Sequence, residues 1–166
     1  MEEKNGSGGK PTRKSLNMRT IFRHMMEGGY NPTFEGAYIE FEIEGNVAVL
    51  EYEEGVLAVR VFFSIEEEEY DLLLEASNAT MIETSLVKPA LLENMKTIMF
   101  SCETICDSPR EFKKDLPRCI EFLKKAIWTH KDESCRLLIA QKISSAAIAA
   151  TEERDTAHDK GAKFLS

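Results

Sequence analysis

Cysteine and histidine are the residues of this sequence best suited to metal binding or nucleophilic chemistry. A zinc site needs Cys or His pairs at close, regular spacing, and a catalytic thiol needs a histidine nearby. The sequence has no CxxC pair, and only two of its cysteines are close together, with three residues between them. We therefore expect no metal site. The seven residues are Cys102, Cys106, Cys119, Cys135, His24, His130 and His158.

A Cys–His dyad would have to join Cys102 or Cys119 to His130. Cys102 falls among the apolar positions of a predicted strand, which is typical of a buried structural thiol. We therefore predict no catalytic residue. A cysteine-dependent enzyme or redox sensor using Cys102, Cys106 or Cys135 is the last of three functional hypotheses.

Other motifs of catalysis and cofactor binding are absent. The chain has no GxSxG, HExxH, P-loop or GxGxxG sequence. Strand alternation places its paired carboxylates on an open, solvated face, whereas general acid–base catalysis needs a partly buried carboxyl group. We therefore predict a non-enzymatic protein that needs no cofactor. These carboxylates are Glu40, Glu42, Glu51 and Glu53.

The negative charge is concentrated in the middle of the chain. The 166 residues carry a net charge of −8, and residues 36–84 alone hold 13 acidic side chains against one basic residue, Arg60. Such a surface repels phosphate, so we expect no nucleic-acid partner. It favours a basic partner. The alternative is a solvated acidic face that keeps the domain soluble.

Neither an export signal nor a membrane span is expected. Residues 1–14 are polar and lack an apolar core, and no stretch approaches the roughly 20 apolar residues that a span requires. We therefore expect a cytoplasmic protein with reduced thiols and no membrane partner.

Hydrophobic periodicity predicts an α+β domain after a disordered tail of residues 1–16. A helix over residues 17–27 precedes a three-stranded meander, a helix over residues 65–82, and two further strands. Ser64 and Glu67 suggest a capping box, and Ser108-Pro109 begins a last amphipathic helix. Pro117 should kink that helix, and the polar residues 131–134 should end it. A separate helix over residues 135–151 and a frayed end would complete a C-terminal extension, residues 131–166. The predicted strands cover residues 37–43, 47–53, 56–63, 85–92 and 97–104.

This order of elements resembles the type III secretion chaperone-like fold, and more specifically the YbjN family of bacterial sensory-transduction regulators. The resemblance covers residues 17–130. It rests on Gly28-Gly29-Tyr30, the strand over residues 37–43, the helix end at residues 76–79 and the helix from Ser108. It implies an antiparallel sheet of about five strands with helices packed on it. It also implies a binding module, often dimeric, with no catalytic residues to carry over.

Our leading hypothesis is therefore a chaperone-like protein-binding or regulatory module, with a protein partner or a second copy of itself. The helix over residues 65–82 is apolar around much of its circumference, which is typical of a helix that packs on two sides. Its candidate interface residues are Tyr70, Leu73, Leu74 and Met81, in a stripe that we expect to face inward together with Ser77. Met26 and Trp128 are further candidates for exposed contact residues.

The alternative hypothesis is a small-ligand-binding domain. Its pocket would lie between the sheet and the helix from Ser108, where aromatic side chains could line it. The competing interpretation is that these aromatics fill the core. They are Phe62, Phe63, Phe100 and Phe112.

Overall fold

A computed structural model describes residues 16–94 and 96–164, with side chains as far as Arg154. The predicted tail of residues 1–16 therefore lies almost wholly outside the described residues. The described chain is α+β, as the sequence predicts, and helices accompany an antiparallel open sheet of six strands where about five are expected. The elements are α1 (Met18–Glu27), β1 (Thr33–Phe34), β2 (Ile39–Ile43), β3 (Asn46–Glu53), β4 (Val56–Ser64), α2 (Tyr70–Glu83), β5 (Val87–Leu91), β6 (Thr97–Ile105) and α3 (Pro109–Phe164).

The strand order is β1-β2-β3-β4-β6-β5. The sequence predicts five of these strands, and the sixth is the two-residue β1, which is too short to show a period. Pro89 lies in β5 at the edge of the sheet, where a strand tolerates a residue that cannot donate a hydrogen bond.

The chain divides into two compact units. The first comprises described residues 16–61 together with Cys102–Glu121, and the second comprises Phe62–Ser101 together with residues 122–164. In the first unit Asn17 caps α1, and Ile21 and Met25 of that helix are buried. The core of the second unit includes Ala76, Val87, Phe100 and Leu123.

Two tight hairpins join β2, β3 and β4. Glu44-Gly45 and Glu54-Gly55 all have positive φ, the geometry of a turn whose twist matches the flanking strands. At the second turn the Gly55 carbonyl accepts a hydrogen bond from the Cys106 amide at 2.8 Å.

The start of α2 differs in detail from the prediction. Ser64 ends β4, and the capping box forms between Glu66 and Glu69 at a short 3-10 turn, Glu67–Glu69, that leads into α2. The carboxylates of this run still lie at the first turns, where the helix dipole favours negative charge.

The last helix corrects the sequence analysis most clearly. α3 runs for 56 residues, passes through Pro117 and does not end at residues 131–134. Its interior there is supported by local bonds: Ser134 Oγ donates to the His130 carbonyl at 2.8 Å, and Arg136 pairs with Glu133. The predicted break at residues 131–134 is therefore wrong, whereas the frayed end and the division into residues 17–130 and 131–166 stay predictions.

Replacing Gly55 or Gly45 by alanine should destabilise the protein to a similar degree. Both have φ near +80°, so each variant should lose about 1–2 kcal/mol through left-handed backbone strain. A Cβ at Gly55 would lie 2.8 Å from Asp107 Oδ1, but this oxygen is the end of an exposed side chain that can rotate away, and a Cβ at Gly45 meets nothing within 4 Å. Urea unfolding measures both losses, and a loss at Gly55 well above that at Gly45 would contradict this expectation.

Candidate functional site

The second unit exposes apolar side chains on one face of α2. Leu74, Met81 and Ile82 are 43%, 50% and 86% exposed. Their spacing of seven and eight residues places them on one face of the helix, and half-buried Tyr70 lies one turn before Leu74. We call this set, Tyr70, Leu74, Met81 and Ile82, the outward stripe.

The buried face of α2 is small and polar. Ala76, Ser77 and Thr80 are its buried residues, and the Thr80 hydroxyl donates to the Ala76 carbonyl at 2.8 Å. The sequence analysis placed Leu74 and Met81 on the inward face together with Ser77. That expectation is wrong for both, because the side of α2 that carries Ser77 and Thr80 is the buried one.

A histidine of α3 explains which face of α2 is buried. His130 Nε2 lies 3.1 Å from Ser77 Oγ and 3.3 Å from the Leu73 carbonyl oxygen. Because a carbonyl can only accept, Nε2 carries the hydrogen and donates to Leu73. The ring also packs edge-to-face on Phe100, with centroids 5.2 Å apart. His130 thus provides a polar anchor for the buried face of α2.

The electrostatics of His130 follow from this position. Burial lowers its pKa, because apolar surroundings disfavour the charged imidazolium, and the hydrogen bond to the Leu73 carbonyl offsets this only in part. A neutral, buried ring whose Nε2 is engaged is suited to structure.

The four candidate interface residues do not all lie on the same side of α2. Tyr70, Leu74 and Met81 belong to the outward stripe, whereas Leu73 is half-buried on the side that contacts His130. Their role in an interface stays a prediction. Met26 and Trp128 are exposed, at 54% and 62%.

Sequence reasoning missed two exposed apolar residues, Ile82 of the outward stripe and Leu86, which follows α2. Both are exposed, and Leu86 lines a small cavity of about 140 Å³ with Phe122 and Lys125. The signal was present in the sequence, since Ile82 follows Met81 directly and lies two turns beyond Leu74. The assumption that the single apolar stripe of α2 is its buried face leaves Ile82 out.

The four cysteines differ in burial. Cys102, Cys106 and Cys119 are buried, and Cys135 is exposed. The hydrogen bond that Cys119 shares with Cys102, together with burial, raises the pKa of Cys119, and burial raises the pKa of Cys106 to about 11. These two thiols are therefore protonated at neutral pH and are poor nucleophiles.

The first unit carries an acidic groove of about 630 Å³ on its sheet. Arg60 forms ion pairs there with Glu51 and with Glu103, the latter at 3.3 Å. Tyr52 donates its hydroxyl to the Cys106 carbonyl at 2.9 Å. Both carboxylates are about half exposed, so the groove offers a solvated acidic surface, as strand alternation predicts.

The aromatic side chains predicted to line a pocket differ in burial. Phe100 and Phe112 are buried, while Phe62 is exposed. Phe112 lines a cavity of about 260 Å³ with His24 and Tyr30, which lies between the end of α1 and the first turns of α3.

The described residues contain neither a metal-binding cluster nor a helix suited to span a membrane. Across residues 16–94 and 96–164, no three His, Cys, Asp or Glu side chains come together as a metal site. Among the described helices, none combines the length and apolar character needed to cross a membrane.

Comparison with known proteins identifies the architecture. No family model matches the chain, and no curated protein matches its sequence. The crystal structure of YbjN from E. coli, a proposed transcription regulator, superposes with a TM-score of 0.60 at 11% identity, over 68% of this chain and 89% of that one. The chain has a YbjN-like fold. An uncharacterized protein from Methanothermobacter thermautotrophicus shares this fold at a TM-score of 0.53 and 10% identity, over 73% of this chain and 98% of the other.

At these identities the likeness establishes the YbjN-like fold alone. Neither of the two proteins is described as an enzyme. The outward stripe of α2 is therefore a feature to be interpreted from this chain's own residues.

The protein should lose stability as the pH falls from 7.5 to 5.5, and His130 should cause part of that loss. Its pKa is lowered in the folded state, so the unfolded chain binds the proton more readily once the pH drops below about 6.5. The stabilisation is therefore present above that pH and is lost below it. Urea unfolding at several pH values should show a shallower pH dependence for His130→Gln, and an unchanged slope would contradict this role.

Proposed function

We propose that this protein is a non-enzymatic protein-binding module of the regulatory kind, and that the outward stripe of α2 is its binding surface. The observation that carries the proposal is the exposure of Leu74, Met81 and Ile82 on one face of a helix whose other face is anchored by His130. Groups of exposed large apolar side chains can mark interaction sites. The likeness of the fold to a proposed regulator supports the same class of function.

The surface offers a specific place for an anchoring side chain. Leu86, which follows α2, and Phe122 line the cavity of about 140 Å³. A pocket of this size accommodates one apolar side chain, and interfaces take much of their binding energy from such buried anchors. Lys125 at its rim keeps that end of the surface polar.

The charge around α2 defines the chemistry of the partner. Acidic side chains precede the outward stripe and flank it, and no basic residue lies within residues 61–87. We therefore assign as partner a protein segment with apolar anchors and Lys or Arg beside them, held in the manner of a chaperone. The free thiols fit a reducing compartment such as the cytoplasm. The acidic residues are Glu66, Glu67, Glu68, Glu69, Asp71, Glu75 and Glu83.

A small-ligand function has weaker support. The cavity beside Phe112 holds about 260 Å³, which is slightly below the roughly 300–1,000 Å³ usual for ligand pockets. The larger groove beside Arg60 is open and acidic. We keep ligand binding as the alternative, and thermal-shift screening with metabolites would test it.

Peptides selected from a random display library on the full-length protein should be rich in apolar residues and in Lys or Arg. Replacing Leu74 or Met81 by Glu should weaken their binding at least about tenfold, because each change places a charge in the apolar stripe. Fluorescence anisotropy of the selected peptides gives the affinities, and rising salt should weaken them.

The matched control is Val47→Glu, an equally drastic change at another exposed apolar residue. It should leave the peptide affinities within about twofold. Selected peptides that bind all three variants as tightly as the parent protein would reject the outward stripe as the binding surface. Both α2 residues are exposed, so the melting temperature should change little.

A further inference from the structure

The far part of α3 is an exposed apolar helix. In residues 135–154 every side chain is exposed except that of Leu137, which is half-buried. Eleven of these 20 residues are apolar, and no charged residue lies between Lys142 and Glu152. An isolated helix of this length is marginal in water, because most helical stability in proteins comes from packing an apolar face. This segment therefore needs a partner surface.

A heptad stripe runs along the segment. Its members are separated by alternating steps of three and four residues, which keeps them on one face of the helix as in a coiled coil. Apolar residues occupy the four central positions, and a residue of opposite charge stands at each end. We call the set the terminal stripe: Arg136, Ile139, Ile143, Ala146, Ala150 and Glu153.

We propose that the terminal stripe pairs with the same stripe of a second copy of this chain, antiparallel, to form a homodimer. In the register that places Ile143 opposite Ala146 of the second copy, Ile139 meets Ala150. Two-fold symmetry repeats both contacts. Each layer then sets one large side chain against one small one, which fills the space between two helices without crowding.

The charges select this orientation. The antiparallel register brings Arg136 opposite Glu153 at both ends of the paired segment. A parallel pair would place Arg136 against Arg136 and Glu153 against Glu153, and like charges face to face are unfavourable. It would also stack Ala146 on Ala146 and leave a gap between the helices.

The length of the segment fits this arrangement. Residues 135–154 extend for about 30 Å at 1.5 Å per residue. In the antiparallel pair the two segments overlap along their whole length. Contact between the copies therefore begins just beyond Glu133, the last buried residue of α3 among those described. An interface of this size is small, and we expect a dissociation constant on the order of micromolar.

The proposed homodimer goes beyond the proposed function, since it concerns another helix and another partner.

Sedimentation equilibrium of the full-length protein at several concentrations should show a monomer–dimer equilibrium. Ile143→Glu should raise the dissociation constant at least tenfold. The matched control is Ser145→Glu, the same added charge on the opposite face of α3, which should change it less than about twofold. A monomer at every concentration, or equal effects of the two variants, would overturn the proposal.

Charge reversal tests the orientation. Arg136→Glu and Glu153→Arg should each weaken the dimer, and the double variant should restore it, because opposite charges again face each other at both ends. A parallel dimer would respond to neither single change. The restored double variant also shows that the single variants are folded.

The outward stripe provides the remaining control. Leu74→Glu should leave the dimer intact while it weakens peptide binding at least about tenfold. A dimer that dissociates on Leu74→Glu and survives Ile143→Glu would move the self-association to α2 and overturn the terminal stripe. Failure of peptide binding with an intact, Ile143-dependent dimer would instead reject only the proposed function.

Discussion

The hydrogen bonds of His130 are the constraint on which the second unit depends. α2 carries apolar residues around most of its circumference, so hydrophobicity by itself does not determine which face of the helix is buried. The ring of His130 reaches Ser77 and the Leu73 carbonyl, and an unpaired polar group in this position would cost about 1–3 kcal/mol. The polar partner thus fixes the rotation of α2, and it leaves Leu74, Met81 and Ile82 in solvent.

The continuity of α3 has a comparable consequence at the other end of the chain. Residues 131–134 are polar, but none of them is a helix breaker, and Ser134 and Glu133 make bonds within the helix. The helix therefore extends past the last buried residue, and the apolar side chains of residues 135–154 remain exposed. The structure presents two apolar surfaces of different character, a short acidic-rimmed stripe and a long heptad stripe.

These surfaces suit different partners for physical reasons. The outward stripe has carboxylates before and beside it in the sequence, which fits the proposed basic segment with an apolar anchor. The terminal stripe has complementary charges at its two ends, which favours a second copy in the antiparallel orientation. A YbjN-like domain that dimerises through α3 would carry two outward stripes, and bivalent binding of one partner would then raise its effective affinity.

Local patterns predicted the parts of this structure that depend on near neighbours. Alternating strands, tight turns and the Ser108-Pro109 start indicated an α+β fold, because residue periodicity and backbone preference act within a few residues. The unbroken course of α3 is also a local matter, since residues 131–134 are polar but contain no helix breaker and make their bonds within the helix. The buried face of α2 depends on a tertiary contact instead. It meets His130, which lies 53 residues from Ser77, and a local sequence pattern does not show a partner at that distance.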